Sequence, residues 1–390
     1  MKRQAALLAC LLAASAQAQE DLDALKLADE APAVVEQRSD WRSFVEAGLG
    51  RFVRRGDGSV QASRRLSLDV QYEHALSQQW SVAFADRIDT SWLPDGGGRH
   101  SINTLKEAYA SWRPLDDAML DIGRVNVRNG VALGYNPTDW FRRNAVRSVV
   151  SIDPASLKQN REGADMLRAQ KLWNGGSLTA LTARDPGRVL VAVTQKIGGL
   201  SPQVLAYREQ SQPVQLGLNL TGLVNDATVA FVEWAGGRAP SQLGDTGERW
   251  RDRLATGLTY TTTSKLSLTG EFHYNGAAAD EAAWDRLRAG PPLAYAIYRT
   301  RVQQAQDLPT RRELFFHGLW QDALMPQLDL AAMHSTDLVD RSRRVWLELR
   351  YHAGRTDFAL QWQRSDGRYL SNFGALPEAR GWQWTIRHYF

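Results

Sequence analysis

Cysteine is almost missing from this chain. Cys10 is alone among 390 residues and sits in a segment that reads as a cleaved leader, so a mature chain would have neither disulfide nor thiolate chemistry. Lysine is scarce as well: seven residues against 40 arginines, a bias toward positive groups of fixed geometry. Nowhere does the sequence hold the roughly 20-residue apolar run of a membrane helix, and its mean hydropathy is −0.40. Nucleophile-elbow, Walker, zincin and Cys/His metal motifs are absent, so no enzyme, cofactor or metal is expected. The formal net charge of +4 falls to +2 without Lys2 and Arg3, too even a balance to suggest nucleic acid as a partner.

Aromatic residues are plentiful, with 14 Trp, 11 Tyr and 11 Phe, more than a solvated coil carries. Basic Lys2-Arg3, apolar Ala5 to Ala14 and Ala16-Gln17-Ala18 form a secretory signal peptide over residues 1–18. Residues 19–40 read as an acidic periplasmic extension that would suit a flexible tail, a plug or a contact with a periplasmic partner.

From residue 41 to the end, short segments alternate with period two. Leu66, Leu68, Val70 and Tyr72 oppose Ser67, Asp69, Gln71 and Glu73, and Trp382, Trp384, Ile386, His388 and Phe390 oppose Gln383, Thr385, Arg387 and Tyr389. Alternation alone fits either a soluble sandwich or a barrel whose apolar face meets lipid. Connection lengths separate the two. One alternate set is uniformly short, as at Asn174 and Thr263-Ser264, while residues 92–102, 128–161, 237–249, 276–310 and 367–379 all fall in the other set. Turns on one rim and long loops on the other mark an antiparallel up-and-down transmembrane barrel over 41–390, of 16–18 strands and best counted as 18. An even count puts both termini on the periplasmic side of the outer membrane. Nine Trp at predicted strand ends, Trp80, Trp112 and Trp173 among them, suit interfacial girdles.

A last strand of alternating aromatics ending at Phe390 resembles the carboxyl-terminal signature of bacterial outer-membrane β-barrel proteins. That resemblance spans nearly the whole mature chain and implies outer-membrane lipid and the barrel assembly machinery as partners. Leu105-Lys106-Glu107-Ala108-Tyr109 followed by Gly123-Arg124 and a long Gly/Asn/Pro loop is similar to large porin-like barrels, including the alginate-export type. No binding residue is carried over from it.

The polar strand faces project Glu46, Asp69, Glu73, Glu107, Asp121, Arg168, Arg253, Glu271, Glu348, Arg350, Asp357 and Arg387 inward. Opposed charges of this kind brace a wide wall, orient a solute, or do both. The 128–161 loop, too long for a hairpin, carries Arg128, Arg142, Arg143, Arg147 and Arg161. Folded inward it would be a positive constriction; folded outward, a cap. Ala277 to Ala289 is helix-prone. His334-Ser335-Thr336-Asp337 is no triad, because adjacent strand residues face opposite ways. The expected function is an outer-membrane channel for diffusion or export of a polar, anionic solute, of which a saccharide would be one kind. The alternative is a structural or assembly barrel anchoring a surface polymer or periplasmic partner. Oligomeric state is not legible.

Overall fold

The computed structural model describes residues 40–92, 98–210, 212–244 and 247–390; the signal peptide and the 19–39 stretch of the extension, with its plug reading, lie outside them. The chain forms one 18-stranded antiparallel sheet. Its strands are β1 (Trp41–Arg54), β2 (Val60–Ala75), β3 (Trp80–Trp92), β4 (Arg99–Leu115), β5 (Ala118–Val125), β6 (Ala164–Trp173), β7 (Gly176–Ala183), β8 (Arg188–Gln195) and β9 (Leu200–Glu209). They continue as β10 (Gln215–Asn225), β11 (Thr228–Ala239), β12 (Arg249–Thr261), β13 (Leu266–Asn275), β14 (Arg312–Trp320), β15 (Leu328–Asp337), β16 (Arg343–Ala353), β17 (Thr356–Asp366) and β18 (Glu378–Tyr389). Each pairs with its sequence neighbour, and β1 pairs with β18, from Phe44 opposite Tyr389 to Arg54 opposite Glu378. Closure leaves no free edge, as a lipid-embedded sheet requires.

All 18 expected strands are present, and the connections sort by rim as expected. Asp40 and Phe390 share a rim with the short turns; the connections containing 126–163, 240–248, 276–311 and 367–377 lie at the other. On the outer face Leu66, Leu68, Leu347, Leu349, Trp384 and Ile386 stand exposed, whereas Ser67, Asp69, Asp357 and Thr385 on the inner face are buried. Apolar outside and polar inside is the pattern for a wall with lipid on one side. Trp80 and Trp112 stack at 5.9 Å on the terminal rim.

One departure from period two places two consecutive residues inward. The β3–β4 register slips after Ala85, which pairs with Glu107 while Asp86 pairs with Leu105. The extra residue, Lys106, is therefore lumenal together with Glu107, as a bulge allows.

Beyond the helix-prone Ala277 to Ala289, the 276–311 connection folds into α1 (Glu281–Ala289) and α2 (Pro292–Ala305). Asp280 caps α1 by accepting from the Ala283 N–H at 2.9 Å. Trp284, Tyr295, Tyr298 and Val302 pack together, and the Trp284 indole donates to Asp340 at 2.9 Å. Trp284→Ala removes the centre of this cluster and is expected to cost ~3–5 kcal/mol, seen as faster protease cleavage within 281–305 while the strands keep their circular dichroism.

Candidate functional site: an inward loop between two polar cavities

Residues 126–163 leave the top of β5 and cross the barrel interior before returning to β6. Their course begins at Gly130, whose φ of +77° and lack of a side chain are both needed, since a Cβ there would lie 2.4 Å from a Glu233 oxygen. The chain then offers four successive N–H groups to two wall carboxylates. Val131 and Ala132 donate to Glu233, the latter at 2.7 Å; Leu133 and Gly134 donate to Glu271 at 2.7 and 2.9 Å. Gly134 passes so close to the wall that a Cβ would lie 2.7 Å from His273 and Phe315. Lys158, in the short helix α3 (Pro154–Gln159) of this loop, donates to the Ala132 carbonyl. Burial holds its amine below the ordinary lysine value, opposed by Asp139, Glu233 and Glu271.

Farther along, the loop packs apolar side chains against β7 to β9, beside a cavity of about 960 Å³ lined by Arg142, Arg143, Glu209 and Asp307 among others. Trp140 stacks on Tyr207 at 4.9 Å and 4°, and with Phe141 joins Leu181, Leu190 and Leu205, inward residues of β7 to β9, in an apolar cluster. Arg161 is 3% exposed and ties the two ends of the loop together: it bonds Asp139 at 2.7 Å, Asn126 at 2.9 Å and the Val127 carbonyl. Arg142 bonds Asp307 at 2.7 Å, and Asp307 also accepts from Tyr135 at 3.0 Å and Gln242 at 2.9 Å. Although burial opposes it, the guanidinium groups of Arg253 and Arg142 hold the Asp307 carboxyl below its ordinary 3.8.

That lowered value fixes the sign of an acid effect. The stabilisation is full above 3.8 and is lost as pH falls through the lower folded value. Asp307→Asn should therefore produce at neutral pH the loop proteolysis expected of the wild type only in strong acid. Equal protease resistance of variant and wild type at pH 7 would refute it.

Two smaller cavities lie between the loop and the strands from β16 through β4. A cavity of about 390 Å³ toward the terminal rim is lined by Glu46, Asp69, Glu107, Arg128, Glu348 and Arg387 among others. A second, of about 420 Å³ toward the loop rim, is lined by His100, Arg344, Trp346 and Glu378. The two share Arg65, Ser151 and Gln361 as lining. At this neck Arg65 donates to the Val150 carbonyl at 2.8 Å and to Glu46 at 2.7 Å.

Charges beside these two cavities form a continuous belt over seven strands, from β16 through β18 and β1 to β4. Arg350 bonds Glu348 at 2.9 Å and Asp357 at 3.4 Å; Tyr389 joins Asp357 at 3.0 Å to Arg387 at 3.3 Å. Arg387 and Arg65 flank Glu46, and Arg87 lies 3.6 Å from Glu46, 3.7 Å from Asp69 and 3.0 Å from Asp89. Lys106 closes on Asp69 at 2.6 Å.

The predicted site residues thus separate into groups. Glu107, Arg128, Glu348, Arg350 and Arg387 line the inner cavity. Asp121 and Arg168 pair with each other at 2.6 Å on β5 and β6. Of the loop arginines, Arg142 and Arg161 are the buried fasteners just described, while Arg143 and Arg147 are half exposed and pair with Glu209 at 3.2 Å and Glu162 at 3.0 Å. They do not meet in one ring. His334 faces outward and bonds Thr336 at 2.8 Å, while Ser335 is buried on the inner face. Arg65, Arg87 and Arg344 line the lumen without having been singled out. Their signal was present in the alternation of Arg65 with Leu66, Arg87 with Ile88 and Arg344 with Val345.

No protein-family model and no curated relative matches the sequence. Solved structures do match. Pseudomonas aeruginosa OpdQ aligns with a TM-score of 0.57 at 10% identity, over 90% of this chain and 99% of that one. The chain has a porin-like outer-membrane barrel fold. P. aeruginosa OccK2 (OpdF), solved with glucuronate, gives 0.56 at 8% identity over 91% of this chain and 98% of that one. P. aeruginosa OpdK, solved with vanillate, gives 0.57 at 9% identity over 90% and 98%. In this porin-like barrel the inward loop borders two polar cavities that share Arg65, Ser151 and Gln361, and a third of about 960 Å³ beside Trp140, Arg143 and Asp307.

Proposed function

We propose that this porin-like barrel is an outer-membrane channel through which small polar anions diffuse, passing from the outer cavity by the Arg65 neck into the inner cavity. The observation that carries the reading is Arg344. Among the described residues, Arg65, Arg87, Arg350 and Arg387 of the charge belt each have a carboxylate within 4 Å, whereas Arg344, like Arg128 of the inner cavity, has none, and its Nε makes no hydrogen bond. It lines the outer cavity beside Trp346. Glu378 shares this cavity without forming an ion pair with Arg344, and a guanidinium left unpaired in a narrow polar path attracts anions by charge and carboxylates by its planar fork. The glucuronate and vanillate in OccK2 and OpdK are both carboxylates, which supports the same solute class here. The termini are periplasmic in this reading, and the strand ending at Phe390 is the one presented to the assembly machinery.

Planar-bilayer recording tests it. In a salt gradient the reversal potential should show anion preference, and Arg344→Glu should move it toward cation preference. A cation-preferring wild type, or a reversal potential that ignores Arg344→Glu, would overturn the proposal.

A further inference from the structure

The largest of the three cavities lies off the path proposed above. It measures about 960 Å³ and shares no lining residue with the two cavities that meet at Arg65. Its walls come from the loop rim: Trp140 to Ala145 of the inward loop, the β7–β8 turn at Asp185, Gln212 after β9, and the end of α2 at Arg301 and Gln304. The Asn144 N–H donates to the Gln304 carbonyl at 2.7 Å, which joins loop and helix at the cavity wall. Deeper in the barrel, Trp140 and Phe141 pack with Leu181, Leu190 and Leu205 beneath it. A solute entering from the rim meets this apolar floor and goes no farther.

Most charges around this cavity are committed to one another. Asp139 holds Arg161, Glu162 holds Arg124 and Arg147, and Asp307 holds Arg142. Arg188 has no such partner. It is 7% exposed, its guanidinium lies 4.6 Å from the centre of the Phe141 ring, and its Nε makes no hydrogen bond. Its one hydrogen bond among the described residues runs from Nη2 to the Asp185 carbonyl at 3.2 Å. Glu209 stands directly opposite on β9, yet its carboxylate accepts from Arg143 at 3.2 Å and from the Tyr207 hydroxyl at 3.0 Å. Arg301, exposed on α2, likewise forms no ion pair among the described residues. The carboxylate of the lining that lacks a cation, Asp185, is exposed on its turn. A desolvated guanidinium without a counter-ion is costly, and a bound oxyanion would supply the missing partner through the planar fork.

The geometry points to a blind effector pocket that takes a small hydroxylated carboxylate, a sugar acid, from the loop rim and holds the inward loop in place. Arg188 receives the carboxylate. The side-chain amides of Gln212 and Gln304 line the same cavity without a hydrogen bond among the described residues, and offer donors and acceptors to hydroxyls. Trp140, Phe141 and Tyr207 pack on one another and are at most 8% exposed, so no ring face is left for an aromatic acid. Since Phe141 lies against Arg188, and Arg143 and Asn144 line the cavity, an occupant touches wall, α2 and loop together. A ligand that fits only the docked loop shifts the loop toward that state by mass action. The pocket stands apart from the anion path, and its occupancy does not depend on that path conducting.

Titration calorimetry of the full chain in detergent, with gluconate as the probe, tests the pocket. Gluconate should bind saturably. Benzoate, which has the charge without the hydroxyls, and glucose, which has the hydroxyls without the charge, should each bind about tenfold more weakly or worse. Arg188→Gln should weaken gluconate by a similar factor while heat-modifiable gel mobility shows the barrel still folded. Arg301→Glu, at an exposed helix position, should weaken it as well. Arg344→Glu, in the transport path, should leave this binding in place. Hydrogen exchange over residues 139–145 should slow when gluconate is added. Absence of gluconate binding, benzoate or glucose binding as tightly, or exchange unchanged at saturation would overturn the inference. So would binding that is lost in Arg344→Glu and kept in Arg188→Gln, which would put the ligand in the transport path.

Discussion

Arg161→Ala is expected to release the inward loop and raise single-channel conductance well above the wild-type value. Arg161 is nearly inaccessible, and removing it strands Asp139, which is 2% exposed, without its cation. Breaking a buried pair by deleting one partner typically costs ~3–5 kcal/mol, because the remaining charge stays desolvated. The loop would avoid that cost by undocking. Its other fasteners are strung along the same chain: once residues 126–129 and 161 separate, the four N–H groups held by Glu233 and Glu271 lose the geometry that aligns them.

The expectation distinguishes a fastened loop from a passive one. Glu233→Ala with Glu271→Ala removes the wall side of the same attachment and should give the same wide pore, with noisier current as the loop moves in and out. Conductance measured in symmetric salt checks both variants. If Arg161→Ala conducts like the wild type, the loop is held by its apolar packing at Trp140 and Phe141, and the charged fasteners are dispensable.

The wall was legible in the sequence; the contents of the lumen were legible only in part. Alternation and rim sorting depend on local periodicity, and the strands from β1 to β18 follow them because one face of each must be apolar for lipid. Trp346 interrupts the polar face of β16, and the structure explains the interruption: it is 2% exposed under Leu133 and Ile152 of the loop. Lys106 escaped because a bulge shifts parity by one residue, and nothing in Leu105-Lys106-Glu107 marks the bulge. The loop arginines stand out in the sequence as a group, but their partners, Asp307, Glu209 and Glu162, lie up to 165 residues away or at depths that periodicity does not encode. Whether a lumenal charge braces the wall or faces solute depends on such partners. Arg350 has Glu348 and Asp357 within 4 Å, whereas Arg344 has no carboxylate so close.

Glu46→Gln carries the second large expectation, a loss of barrel stability of ~3 kcal/mol, in the range for uncoupling a buried charge cluster. Glu46 lies directly opposite Arg387 across the seam where the first strand meets the last. Its two oxygens accept from Arg65 at 2.7 Å and from Arg387 at 2.6 and 2.9 Å, with Arg87 at 3.6 Å. A glutamine of the same shape keeps the packing and removes the charge that three guanidinium groups share. Arg87 retains Asp69 and Asp89, so the loss falls chiefly on Arg65 and Arg387. Because Arg387 is partly exposed, with 23% of its side chain accessible, water offsets some of its share. Urea titration of the folded barrel, read by heat-modifiable gel mobility, measures the change. The double variant Glu46→Gln, Arg387→Gln should lose less than the sum of the two single variants, since the second change removes a cation the first left unpaired. Full additivity would mean that Glu46 and Arg387 do not act as a pair across the seam. A shift in conductance from Glu46→Gln alone, with stability unchanged, would mean that the carboxylate serves the Arg65 neck and not the closure of the wall.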